Sequence, residues 1–155
     1  MTKPPLKFQS IIPRMDGIMK DMVKLKQLAQ IPLEEFAKED NLYFDVAKAR
    51  LREALEGVFN IGAHILSRIE GGRATEYKEI AKKLGEYGIV KKEFADETLI
   101  RMAGYRNRLT HFYAEITAEE MHRIINERLG DFEVFLSDVK SLLERPEKYG
   151  LSTQQ

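Results

Sequence analysis

Between Asn41 and Ile69 the apolar residues Phe44, Leu51, Leu55, Val58, Ile65 and Ile69, with Gly62 among them, fall on one face of a helix at about 100° per residue. A stripe of that length, ended by Gly71-Gly72, needs other helices to cover it. The rest of the chain keeps the same period. Helical spacing begins near Met15 with Ile18, Met22, Leu25 and Leu28, and Pro32 opens a short turn from Leu33 to Lys38. A segment from Thr75 to about Tyr87 carries Tyr77, Ile80, Ala81 and Leu84 on one side and stops before Gly88. Another runs from about Lys92 to Tyr113. The last starts at the capping box Thr117-x-x-Glu120 and continues through Ile124, Ile125, Leu129, Phe132, Phe135, Leu136 and Val139 to Arg145-Pro146.

Strand-like alternation of useful length, a hairpin signal and an internal repeat are all missing from the sequence. The expected architecture is therefore all-α: an up-and-down bundle of four to five helices in one domain over residues 1–155. Pro4, Pro5 and Pro13 make the start a poor helix, so residues 1–13 and 146–155 are expected to be irregular tails. Gly71 to Thr75 and Gly88 to Lys91 are the expected mobile loops.

With 25 basic and 25 acidic residues the net charge is zero, so no global basic field marks a constitutive nucleic-acid binder. Any site for a polyanion must be local. From Thr98 to Ala114 the chain carries Arg101, Arg106, Arg108 and His111 and not one carboxylate. Cysteine is absent, which excludes disulfides, thiolate zinc sites and cysteine nucleophiles. No apolar run approaches the roughly 20 residues of a membrane span, and Met1 to Pro5 do not resemble a signal peptide, so a cytoplasmic protein without a membrane partner is expected.

On the helical wheel of the motif segment, Ala95, Leu99, Met102, Tyr105, Leu109, Phe112 and Ile116 form the core-facing stripe. Arg106 and Tyr113 sit on its shoulder. Ile100, Gly104, Asn107 and His111 lie on roughly the opposite side, which turns His111 toward water or a second subunit. Arginine presents a planar fork of donors that fits phosphate oxygens, and an unperturbed imidazole exchanges protons near neutrality. Together they suffice for RNA cleavage without a metal. Each also has a plainer reading, as an arginine or histidine of an ordinary solvated surface.

The string Arg106-Asn107-x-x-x-His111-x-Tyr113, set after a long helix that ends Asn60-Ile61-Gly62-Ala63-His64-Ile65-Leu66, resembles the HepT-like branch of the HEPN superfamily from the first helix to about Leu143. The resemblance implies a HEPN helical bundle that dimerises through the motif helix, with the Arg and His of both subunits in one cleft. It implies a ribonuclease toxin encoded beside a small, MntA-like nucleotidyltransferase antitoxin. Arg106 would bind the scissile phosphate and stabilise the pentacoordinate transition state, His111 would act as general base or acid on the RNA 2′-OH, and Asn107 would orient groups in the cleft. The products would be a 2′,3′-cyclic phosphate and a 5′-OH, with neither metal nor cofactor required and DNA not cut. Tyr113 resembles the tyrosine whose hydroxyl the antitoxin modifies with AMP. Family pattern also makes Glu56, Asn60 and His64 candidates to support the cleft, the alternative being a solvated helix face.

Other chemistry lacks residues. Glu119-x-x-His122 is half of a di-iron signature without its second half, and no Gly-rich phosphate loop or dinucleotide fingerprint is present. The competing functional class is a non-catalytic HEPN module in which Arg106 and His111 bind a nucleotide or RNA without cleaving it.

Overall fold

The computed structural model describes residues 3–111 and 115–154. It contains seven α-helices among these residues: α1 (Phe8–Ala29), α2 (Leu33–Phe36), α3 (Tyr43–Leu66), α4 (Tyr77–Glu86), α5 (Ile100–Thr110), α6 (Ala118–Glu127) and α7 (Gly130–Glu144). The class is all-α as the periodicity requires. The helix count exceeds four to five because α2 is a turn of its own and the last expected segment is two helices. The break falls at Arg128 and Leu129, where Gly130 starts α7, yet Ile125, Leu129 and Phe132 remain buried across it.

α1 and α3 share the longest contact in the bundle. Ile11, Ile18 and Leu25 of α1 and Leu51, Leu55 and Val58 of α3 lie fully in the core. α4 packs on α3 and α5, and this approach depends on Gly62, where a Cβ would come within 2.9 Å of Ile80 and Leu84 side-chain atoms. α6 lies against α1 and α2. His122 secures that seam, its Nε2–H donating to the Ile31 carbonyl at 2.8 Å and its ring lying 5.2 Å from that of Phe36.

The ends of the chain are more ordered than the prolines predict. α1 begins at Phe8 and runs through Pro13, which withholds the N–H that the Gln9 carbonyl would accept; Gln9 is exposed, so water can serve that oxygen. Burial of Leu6 and Ile11 offsets the loss. Leu6–Lys7 (β1) pairs in parallel with Thr153–Gln154 (β2), a 3-10 turn spans Pro146–Tyr149, and Leu151 is buried. The two expected mobile loops are also anchored. Lys83 donates to the carbonyls of Gly71 and Arg73, and Ile89 and Val90 are buried behind Gly88, whose positive φ reverses the chain.

Two departures affect the motif segment. Its first part, Phe94–Leu99, is π-helical, and the wider turn rotates the face that follows. Ala103, off the expected stripe, is fully buried, while Tyr105 and Leu109 are only half-buried. The helix also ends at Thr110 rather than Tyr113. Thr110 Oγ1 bonds back to the carbonyls of Arg106 and Asn107, and His111 is extended (φ −116°, ψ 107°). A helical wheel therefore cannot assign His111 a side, although the residue is exposed as expected. Phe112, Tyr113 and Ala114 lie outside the described residues, and with them the position of Tyr113.

Candidate active site

Three helices meet around Arg106. Its guanidinium carbon lies over the ring of Tyr77, 4.4 Å from the centroid, at the first residue of α4. Tyr77 in turn stacks on Phe59 of α3, with centroids 4.8 Å apart and planes 20° from parallel. One turn earlier on α3, Glu56 Oε1 approaches Arg106 Nη2 at 3.6 Å. That distance is an ion pair rather than a strong hydrogen bond, and Glu56 also faces Arg52 at 3.8 Å. Arg106 Nε is buried without a hydrogen-bond partner, yet 27% of the side chain stays exposed. The guanidinium is thus seated by a ring and a distant carboxylate, with its charge incompletely matched.

Arg108, two residues on, has a different environment. Its two Nη atoms each donate to one oxygen of Glu120 at 2.7 Å, and Nη2 also reaches the Glu115 carbonyl at 3.3 Å. The Arg108 hydrogen bond holds the Glu120 carboxyl below the usual range. Glu120 is the third residue of α6, whose cap is Thr117 accepting from the Glu120 N–H at 3.1 Å, so this pair ties the end of α5 to the start of α6. The charge of Arg101 acts on Asp131, whose carboxyl is nonetheless raised by burial. The carboxylate-free stretch therefore receives its counter-charges from other helices.

His111 follows the last turn of α5, its N–H donating to the Asn107 carbonyl at 3.1 Å. Asn107 is half-buried in that turn. The motif thus sets Arg106 against the bundle and His111 at the edge of the protein where α5 stops.

The three α3 candidates are separated by the structure. Glu56 meets Arg106. Asn60 is exposed and lines, with Arg14, Asp21, Glu53 and Glu56, a groove of about 280 Å³ between α1 and α3. His64 is engaged elsewhere: its Nε2 accepts the Lys7 N–H at 3.0 Å, which ties β1 to α3. Burial first, then the charges of Arg68, Arg14 and Lys7, lower its pKa to about 4, so at neutral pH it is an uncharged acceptor. Asp21, 1% exposed, is raised to about 6 by burial and by Glu53, against the opposing Arg50. Among the described residues no cluster of His, Asp or Glu could hold a metal ion.

Residues 18–139 match the family model "Ribonuclease HepT-like". The chain belongs to the HepT-like ribonuclease family. Arg106, His111, Glu56 and Tyr77 all lie within the matched span, whereas the β1 partner of His64 lies outside it. A curated relative, tRNA nuclease HepT of Aphanizomenon flos-aquae (strain 2012/KM1/D3), is 25% identical over 130 residues, covering 84% of this chain and 87% of its own. The fold is that of HEPN toxins. A tri-AMPylated Shewanella oneidensis HEPN toxin in complex with MNT antitoxin superposes with a TM-score of 0.76 at 21% identity, over 84% of this chain and 96% of that one. A toxin–antitoxin structure with AMP-PNP gives 0.75 at 21% identity, over 86% and 98%.

Among the residues that shape this candidate site, Tyr77 and Phe59 carried no functional signal in the sequence. Tyr77 read as one more apolar position of its helix, and only the packing of α4 against α3 and α5 brings it under Arg106.

Proposed function

We propose that this HepT-like protein is a metal-independent endoribonuclease toxin in which Arg106 and His111 cleave RNA. The observation that carries the reading is the seat of Arg106. Its cation is held between Tyr77 and Glu56 without a tight carboxylate partner, and the exposed His111 follows the end of the same helix. An RNA phosphate offers Arg106 the bidentate partner that Glu56, at 3.6 Å, does not. The 2′-oxygen loses its proton and attacks phosphorus, the bond from phosphorus to the 5′-oxygen breaks, and that oxygen leaves with a proton. His111 takes the first proton or supplies the second, and two copies of His111 in one cleft fill both roles. Arg106 stabilises the charge that builds on the phosphoryl oxygens, and Asn107 orients groups beside it.

A homodimer through α5 completes the reading. A Cβ at Gly104 would meet nothing within 4 Å among the described residues beyond its own helix turn, which leaves room on that side for a second copy. Regulation would come from a nucleotidyltransferase antitoxin that transfers AMP to Tyr113, as the AMPylated toxin of similar fold supports. The bulky anion would stand where RNA phosphates enter. Among the described residues no helix is long and apolar enough to cross a membrane.

The test is incubation of wild type and His111→Ala with total RNA and a tRNA pool in EDTA, followed by end-group analysis. Cleavage by wild type alone, leaving cyclic phosphate ends, is the expected result. RNA binding without cleavage by wild type carrying an unmodified Tyr113 would instead make the protein a binding module.

A further inference from the structure

We infer that Tyr77 is the positioning residue that aims the Arg106 guanidinium, an assignment that rests on Arg106 engaging RNA phosphate. Arg106 reaches the site on a long side chain, and a flexible arginine would have to be ordered each time a phosphate arrives. Three observations show how the chain orders it beforehand. The guanidinium rests over the Tyr77 ring at 4.4 Å. The ring is itself held by stacking on Phe59, which is fully buried in α3. Nε is buried without a hydrogen-bond partner, so no bond at that atom fixes the group.

The remaining polar contact, Glu56 at 3.6 Å, is long and shared with Arg52, and RNA would compete with it. The ring contact differs because it uses the face of the cation and leaves the N–H fork for a bidentate partner. Tyr77 thus keeps Arg106 oriented both before and after Glu56 is displaced. The role needs an aromatic face and not a hydroxyl.

The experiment compares wild type, Tyr77→Phe and Tyr77→Leu by three readouts. One is steady-state cleavage of an RNA oligonucleotide in EDTA. Another is binding of the same oligonucleotide with a 2′-deoxy residue at the cut site. The third is the 15N–1H resonance of Arg106 Nε, which a ring face shifts and burial protects from exchange. Thermal melts check that each variant is folded. Tyr77→Phe is expected to match wild type in all three. Tyr77→Leu is expected to lower kcat about tenfold with a smaller change in KM, and to move the Arg106 resonance toward that of a solvated arginine. If Tyr77→Leu is folded and both kcat and the resonance stay at wild-type values, the inference is overturned. The same holds if Tyr77→Phe loses as much as Tyr77→Leu, since the hydroxyl would then be the active part. If wild type does not cleave RNA at all, the ribonuclease reading fails separately. Binding of the deoxy-substituted oligonucleotide then decides: a several-fold weaker complex for Tyr77→Leu alone supports the seat, and equal binding by all three rejects it.

Discussion

Arg106 and Arg108 lie two residues apart on one helix and have opposite surroundings. Arg108 is locked to Glu120 by two 2.7 Å bonds and joins α5 to α6. Arg106 has a ring beneath it, a carboxylate at 3.6 Å and an unpartnered Nε. The difference teaches that a local excess of positive charge is not one site. A bidentate carboxylate has already filled the fork of Arg108, whereas the fork of Arg106 is held in place with little to compete for it.

The widest separation between the two arginines is expected in cleavage. Arg106→Ala and His111→Ala should each lower RNA cleavage by about 100-fold or more while shifting the melting temperature little, as end-labelled RNA assays and thermal melts would show. Equal loss of cleavage in a folded Arg108→Ala variant would erase the contrast. Stability is expected to show the reverse order. Arg108→Ala and Glu120→Ala should each cost about 1 kcal/mol after allowance for solvent screening, lowering the melting temperature by about 2–4 °C. A double-mutant cycle that finds no coupling between them would remove the structural half of the comparison.

A smaller effect separates Arg106 from two titrating groups that do not pair with it, His64 of α3 and Asp21 of α1. His64, lowered to about 4, leaves the unfolded chain to take up a proton first as pH falls below 6.5, so its contribution to stability is lost as pH falls toward 4. Asp21, raised from 3.8 to about 6, keeps a proton in the fold that the unfolded chain releases, so its contribution is lost as pH rises through that window. The two slopes oppose each other and partly offset in wild type. Urea melts should find His64→Gln more stable at pH 4 than at pH 6 and Asp21→Asn the reverse, with Arg106→Ala unchanged from wild type. A slope in Arg106→Ala that differs from that of wild type would mean that Arg106 is coupled to these groups. The smallest effect belongs to Glu56→Gln, expected to tighten RNA binding about two- to threefold at low salt and not at high salt. Weaker binding would show Glu56 to hold Arg106 in place rather than to compete with phosphate.

Local chemistry made much of this legible from the residues. Apolar periodicity identified the long helix and the all-α class, Gly71 and Gly88 marked reversals, and Thr117 marked the start of α6. The motif string marked Arg106 and His111, and the HepT-like family match covers both. Periodicity placed Glu56, Asn60 and His64 on one side of α3, but a shared side is not a shared site. Over the eight residues from Glu56 to His64 a helix rises about 12 Å, enough for one end to meet Arg106 and the other to hold β1.

What the sequence determined by itself is whatever depends on neighbours a few residues apart: helices, caps, turns and a histidine five residues beyond an arginine. Tertiary structure alone decided the pairing of Arg106 with Glu56 and Tyr77, the commitment of Arg108 to Glu120 and the withdrawal of His64 to the first strand. It also brought out the π turn that rotates the motif helix and the end of that helix at Thr110. The physical reason is that an ion pair or ring contact is chosen by whichever side chains packing brings within a few ångströms, and Arg106 finds its partners 29 and 50 residues earlier in the chain.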